Sequence, residues 1–246
     1  MTTAVIVQAR TGSTRLPGKV LKDIGGRTVL KEVLDRCGRI PGADVVVCAI
    51  PEAPDDDVLV APAERAGAVV VRGSETDVLS RYAKAAAFVE AAIVMRVTSD
   101  CPLIDPQVCG AVLRLRAESA VDYASNGLEP SFPQGLDCEA FTAAALAEAA
   151  AKATEAYDRE HVTPWLIRAP HLMRANLRSD DPALARLRWT LDYPEDLAFM
   201  RAVFAALPPG ASGGMADVLA VLARNPSIAV INTVRNQRVD RNAIPS

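Results

Sequence analysis

Four short runs constrain the fold more than any other feature: AVIVQA at 4–9, DVVVCAI at 44–50, AVVVR at 68–72 and AIVMRV at 92–97. A strand with one wet face alternates apolar and polar residues. These runs do not alternate, so each reads as a strand buried on both faces. Helical patterns separate them: TVLKEVLDRCGR at 28–39, DDVLVAPAERA at 56–66 and TDVLSRYAKAAAFVE at 76–90. Strand-helix alternation at this spacing predicts an α/β fold, a mainly parallel sheet sandwiched by helices. A further helix is expected over 106–118, with Asp105 as its cap and Pro106 in its first turn.

The pattern changes near residue 120. Residues 121–141 contain the turn-rich SNGLEPSFPQGLD, and an Ala-rich packing helix follows over about 142–153. Then come a helical REHVTPWLIR, an extended HLMRANLRS, a short strand RWTLD, helices at 195–206 and 215–224, and a polar tail. With no internal repeat, the chain reads as a single domain, 1–246. Residues from about 121 to 190 read as an extension built on the same sheet.

Composition narrows the partners. The formal net charge is −3, and a general polyanion binder is usually basic, so nucleic acid is disfavoured. The five cysteines are odd in number and widely spaced, with no Cys-x-x-Cys pair, and the two histidines are ten residues apart. A zinc cluster is therefore disfavoured, and reduced thiols in a cytoplasmic protein are expected. The first apolar run is too short for a signal peptide and lacks a preceding basic region. No run approaches the roughly 18 apolar residues of a membrane span.

The first strand runs into RTGSTRLPGK, which carries Arg10, Arg15 and Lys19 with Gly12 and Gly18. In α/β sheets ligands sit beyond the carboxyl ends of the strands, where this loop lies. Cations and glycine amides there suit an anion, phosphate above all. The spacing matches neither the P-loop nor the dinucleotide fingerprint. The competing reading is a solvated loop with scattered cations.

The string QARTGSTRLPGKVL resembles the signature loop of the cytidylyltransferases that make CMP-activated sugar acids. Within them it is most similar to the branch of spore coat polysaccharide biosynthesis protein F. RGSETDVLSRY, RVTSDCPLIDP, SNGLEPSFPQGLDCEAF, REHVTPWLI and RWTLDYPEDL resemble that branch's blocks, in order, over roughly residues 3–205. Phe132, Pro133, Gln134 and Tyr193 depart from its usual residues. The resemblance implies a nucleotide-diphospho-sugar transferase sheet. It also implies transfer of CMP from CTP to a sugar acid, with release of pyrophosphate, for a surface polysaccharide or glycan. A homodimer formed through the second-half extension is a further implication. By position, Arg10 and Lys19 bind and neutralise the triphosphate, with Ala9, Thr11, Gly12, Ser13 and Arg15 completing the loop. Arg72, Gly73, Ser74 and Asp77 fall where the family contacts the nucleoside. Asp77 also reads as a helix cap, and Arg81 as a phosphate or base contact.

Three cationic side chains do not balance a triphosphate, so Mg²⁺ is expected. Asp100 and Asp192 each end an extended segment and align with the family's metal-binding aspartates; from local sequence alone Asp192 reads as a helix cap, and the resemblance turns the reading to metal binding. Asp137 and Glu139 alternate onto one face of an expected strand, toward the acceptor, toward the metal, or toward solvent. Glu160 and His161 belong to a block the resemblance places near the acceptor; a structural role is the other reading. Two rivals are a nucleotidyltransferase with another base or acceptor, and a non-catalytic nucleotide-binding protein. Arg10, Lys19, Asp100 and Asp192 are all retained, which weighs against an idle copy.

Overall fold

A computed structural model describes residues 1–235. Seven strands form one sheet: β1 (Thr2–Gln8), β2 (Val45–Pro51), β3 (Val69–Gly73), β4 (Ala91–Thr98), β5 (Tyr123–Ser125), β6 (Glu139–Thr142) and β7 (Arg174–Asn176). Their order is β3-β2-β1-β4-β6-β5-β7. The first four strands run parallel. β6 lies antiparallel between β4 and β5, and β7 is parallel to β5. The helices are α1 (Val29–Cys37), α2 (Val60–Arg65), α3 (Val78–Phe88), α4 (Pro106–Glu118), α5 (Ala143–Lys152), α6 (Ala156–His161), α7 (Pro164–Arg168), α8 (Pro194–Ala206), α9 (Met215–Arg224) and α10 (Pro226–Ala229).

The period-two alternation of the central strands sorts their side chains into two cores. Val5, Val7, Met95 and Val97 join Leu30, Val33, Val112 and Met200 on one face. Ala4, Ile6 and Val94 join Leu79, Tyr82 and Phe141 on the other. Both faces of β1 and β4 are thus dry, as their unbroken apolar runs require. The Ala-rich α5 buries Ala145, Leu146 and Ala149 on the second face. All five cysteines are buried thiols outside any disulfide. Burial pushes the Cys48 thiol up to about 12.

The expected elements appear within about two residues of their places, with informative exceptions. The helix expected over 56–66 splits into a 3₁₀ turn, Pro54–Leu59, followed by α2. An α-helix can start only where Pro62, which lacks an N–H, falls in its first turn. REHVTPWLIR breaks at Val162, whose φ is 73° and ψ −56°, with Thr163 N–H donating to the His161 carbonyl at 2.9 Å. That is a tight positive-φ γ-turn, and Pro164 begins the next helix because it lacks the N–H that would continue the first. RWTLD is extended but joins no ladder among the described residues, where an isolated bridge links Arg188 to Gln134. The polar tail contains α10, and residues 236–246 lie outside the described residues. Among the described residues, no helix is long and apolar enough to cross a membrane.

Candidate active site

Loop 10–18 leaves the carboxyl end of β1 and closes on itself. Gly18 N–H donates to the Thr11 carbonyl at 3.2 Å, and Gly18 adopts φ 62°, a left-handed conformation that suits glycine. Ser13 Oγ accepts from the Leu16 amide at 3.3 Å. From outside, the Asp56 carboxylate holds the loop by accepting from Thr11 N–H at 2.6 Å and Thr11 Oγ1 at 2.9 Å. Ala9 is buried at the strand end, while Arg10, Gly12 and Arg15 are exposed.

Lys19 begins a 3₁₀ turn and reaches across to the ends of two other segments. Its Nζ lies 3.0 Å from Asp100 Oδ2, 2.9 Å from Asp192 Oδ1 and 3.0 Å from the Leu191 carbonyl. Burial alone would depress the lysine's pKa; the two carboxylates outweigh it and raise it. Arg15 Nη2 meets the same Asp192 oxygen at 3.0 Å, and its guanidinium lies 4.9 Å from the centre of the Tyr193 ring. The fold therefore brings together Arg15, Lys19, Asp100 and Asp192, although the two aspartates are far apart in sequence.

The segment carrying Asp192 is held at both ends. Leu191 N–H donates to the Asp100 carbonyl at 2.8 Å, which fastens the segment to the end of β4. Trp189 N–H donates to the Gln134 carbonyl at 2.6 Å. The buried Arg188 bridges Asp192 Oδ2 at 3.1 Å and Asp196 Oδ2 at 2.9 Å. Asp192 is not the cap of α8. Tyr193 occupies that position, and Asp196 Oδ2 accepts from the Asp192 and Tyr193 amides at 2.9 and 3.0 Å. The helix end is served by Asp196, which leaves the Asp192 carboxylate to the cations. Asp105 does cap α4, accepting from Gln107 N–H at 2.7 Å.

At the far end of the next strands, Gly73 ends β3 and Ser74 is exposed just beyond it. Arg72 turns back onto the chain after β2, donating to the Pro51 carbonyl at 2.6 Å and the Ala53 carbonyl at 3.1 Å, and pairing with Asp57 at 2.6 Å. Asp77 caps α3 through Ser80 N–H at 2.9 Å and also pairs with Arg159, which ties α3 to α6.

The four acceptor candidates differ in their surroundings. Asp137 precedes β6 instead of sharing its face with Glu139, because the strand starts at Glu139. The chain before it turns, with Leu136 N–H donating to the Pro133 carbonyl at 3.0 Å and Gly135 at φ 107°. Glu139 is buried, not solvated. It pairs with Arg96 and accepts from Tyr123 Oη at 2.6 Å and Thr163 Oγ1 at 2.7 Å. Glu160 and His161 are exposed on α6, the His161 ring 4.4 Å from that of Tyr157.

Asp56, Arg188 and Asp196 escaped the reading of the sequence. Asp56 sits in the run Asp55–Asp56–Asp57, which looks like the solvated start of a helix. Arg188 and Asp196 frame Asp192 at four-residue spacing, a weak signal in a segment that is not helical.

Cations on a glycine-closed loop, facing a carboxylate pair at the carboxyl edge of a parallel sheet, define a class: the α/β nucleotidyltransferases. Residues 4–199 match the family described as Cytidylyltransferase, and this chain belongs to it. Spore coat polysaccharide biosynthesis protein SpsF of Bacillus subtilis (strain 168) is 30% identical over 231 residues, 91% of this chain and 95% of that protein. The 3-deoxy-manno-octulosonate cytidylyltransferase of Anaeromyxobacter sp. (strain Fw109-5) is 32% identical over 210 residues, 84% of this chain and 78% of that protein. Among solved structures, a cytidylyltransferase from Leptospira borgpetersenii serovar Hardjo-bovis (strain JB197) has a TM-score of 0.86 at 29% identity. That match covers 97% of this chain and 99% of that one.

Proposed function

We propose that this nucleotidyltransferase moves CMP from CTP to a hydroxyl of a sugar acid, releasing pyrophosphate, in the cytoplasmic synthesis of a surface glycan. The observation that carries the reading is the meeting of Lys19 with Asp100 and Asp192 beside loop 10–18. The names of the relatives support the acceptor class: one acts in polysaccharide biosynthesis, the other on 3-deoxy-manno-octulosonate.

Nucleotidyl transfer asks the protein mainly to position groups and to stabilise charge. Arg10 forks onto phosphate oxygens, and the amides of Gly12 and Ser13 line the path of the triphosphate. Lys19 is a compact point charge for the leaving pyrophosphate. Ser74 and the backbone of Gly73 read the cytosine edge. Asp137 and the extension over about 121–190 face the acceptor, with Glu139 holding Arg96, Tyr123 and Thr163 beneath it. The same extension is the proposed homodimer surface.

Asp100 and Asp192 fit Mg²⁺ by their chemistry. Both present a carboxylate oxygen to one ammonium, within 3.0 Å. Among the described residues, no group of three or more His, Cys, Asp or Glu side chains forms a metal site. Two carboxylates, with phosphates and waters for the rest, are how Mg²⁺ is ordinarily held at nucleotide sites. When bound, the ion offsets charge on the phosphates.

The test is pyrophosphate release by purified protein with each of four NTPs and a panel of sugar acids. CTP with one sugar acid should dominate. Cytosine carries an amine where uracil carries a carbonyl, and a mispaired buried group costs about 1–3 kcal/mol. Equal release from CTP and UTP would refute the assignment of the base. Release with neutral sugars but with no sugar acid would refute the acceptor class.

A further inference from the structure

Arg81 lies in the first turn of α3, with 2% of its surface exposed. A buried guanidinium normally has a carboxylate against it, because an unpaired charge is costly away from water. Among the described residues Arg81 forms no ion pair, and its Nε is buried without a hydrogen-bond partner. Its Nη1 donates to the Ser74 carbonyl, a neutral acceptor. Two further features raise the cost. The first turn of a helix is the positive end of its dipole, an unfavourable place for a cation. Arg10 of the phosphate loop also repels it, while Asp56 supplies only a partial offset. Burial, the largest influence, lowers the pKa of the guanidinium.

The stem of Arg81 has a second task. A Cβ on Gly73 would lie 3.1 Å from Arg81 Cγ and 3.3 Å from Arg81 Cβ. The backbone of Gly73 therefore rests directly on the arginine stem, and the hydrogen bond to Ser74 fixes the next peptide. Both residues of the turn beyond β3 take their positions from this side chain.

We propose that Arg81 is a positioning residue for the nucleotide. Its stem and Nη1 hold the Gly73–Ser74 turn, and its charge, only partly offset by Asp56, favours the arrival of an anionic nucleotide. The inference rests on the reading of the site as a nucleoside triphosphate site. It carries an unusual consequence: the side chain costs the free protein stability that the bound nucleotide restores.

Arg81→Met and Arg81→Lys test this by thermal melting and by calorimetric titration with CTP, UTP and inorganic tripolyphosphate. Arg81→Met should melt at or above the wild-type temperature when free, yet bind CTP at least about tenfold more weakly. In turnover the loss should fall on KM for CTP more than on kcat. Arg81→Lys keeps the charge and loses the fork, so it should recover tripolyphosphate affinity while discriminating CTP from UTP less well than wild type. A free Arg81→Met protein that melts well below wild type or fails to fold, or one with unchanged CTP affinity, would overturn the proposal. Should wild type bind tripolyphosphate in an Arg81-dependent way but show no preference for CTP, the cytidine reading fails and the role of Arg81 stands. Should wild type bind neither, both fail.

Discussion

Replacing Lys19 with Met removes the ammonium that joins three segments while keeping a stem of similar length. Its Nζ lies 3.0 Å from Asp100 and 2.9 Å from Asp192, and all three side chains are mostly buried. Two oxygens that close to one nitrogen are separated by less than about 6 Å. Without the cation, two carboxylates at about 6 Å repel by about 3 kcal/mol at an effective dielectric constant near 20. Arg15 and Arg188 still face Asp192 and relieve part of this. The metal-free variant should therefore lose about 2–3 kcal/mol, which for a chain of this size lowers Tm by about 5–10 °C. Mg²⁺ should restore much of that loss, because a divalent cation between the carboxylates replaces the missing charge. The variant's Tm should then climb more steeply with Mg²⁺ than that of wild type. Turnover should not follow if Lys19 is the proposed donor to the phosphates, and a loss of about 10²–10³ in kcat is the scale for one such donor. Thermal melts across a Mg²⁺ series and pyrophosphate release on the same samples separate the two effects. A Lys19→Met protein with wild-type Tm in chelator and turnover within a few fold of wild type would refute the reasoning.

Three further outcomes follow from the same geometry. Asp192→Asn and Asp100→Asn should fold with modest losses in Tm but lose roughly 10²-fold in kcat, with partial recovery at high Mg²⁺; full activity at low millimolar Mg²⁺ in either variant would exclude it from metal binding. Gly135→Ala should cost more than about 3 kcal/mol, measured by urea unfolding. The residue sits at φ 107°, where an added Cβ would lie 2.3 Å from the Trp189 carbonyl oxygen, so a wild-type midpoint would show that the turn relaxes freely. Burial opposes ionisation of Asp196, but bonds from Arg188, the Asp192 amide and Asn232 win and hold its carboxyl below the usual range. A depressed folded pKa gives stability that is present above the unfolded value of about 3.9 and is lost as pH falls through the folded value. Asp196→Asn should therefore be less stable than wild type at pH 7, and the gap should close below about pH 4; a gap that persists in acid would mean that packing, not charge, sets the effect.

The strands most legible in the sequence are those buried on both faces, where position alone forces apolar side chains. β1 to β4 announce themselves for this reason. β6 and β7 show only as extended stretches and β5 not at all: YAS, EAFT and RAN are too short to show a period, and their pairing is decided by residues far away in the chain. The loop of the site was legible because its charges and glycines are local. Asp100 and Asp192 were legible as strand-end aspartates, but nothing local shows that one lysine touches both. Arg81 was legible as a phosphate or base contact one turn into a helix, but not as a residue buried beneath the turn after β3. Its burial, its lack of a counterion and its grip on Gly73 exist only once β3 and α3 are packed together.

That difference bears on how stability and activity are coupled here. The carboxylate facing Lys19 from Asp192 belongs to a segment without strand or helix structure, so no ladder fixes it. Its position depends on the peptide bond to Asp100, the bridge to Gln134 beside Gly135, and the two-sided grip of Arg188. Each of these lies outside loop 10–18, yet each sets where the Asp192 carboxylate meets Lys19. A shift of about 1 Å in a reacting group is enough to cost about 10²-fold in rate. Substitutions at Gly135, Arg188 or Asp196 should consequently lower turnover by more than their effect on the folded fraction at the assay temperature. Those in the strand cores, such as Ile6→Val, should lower stability by about 1 kcal/mol and leave the turnover of the folded fraction unchanged.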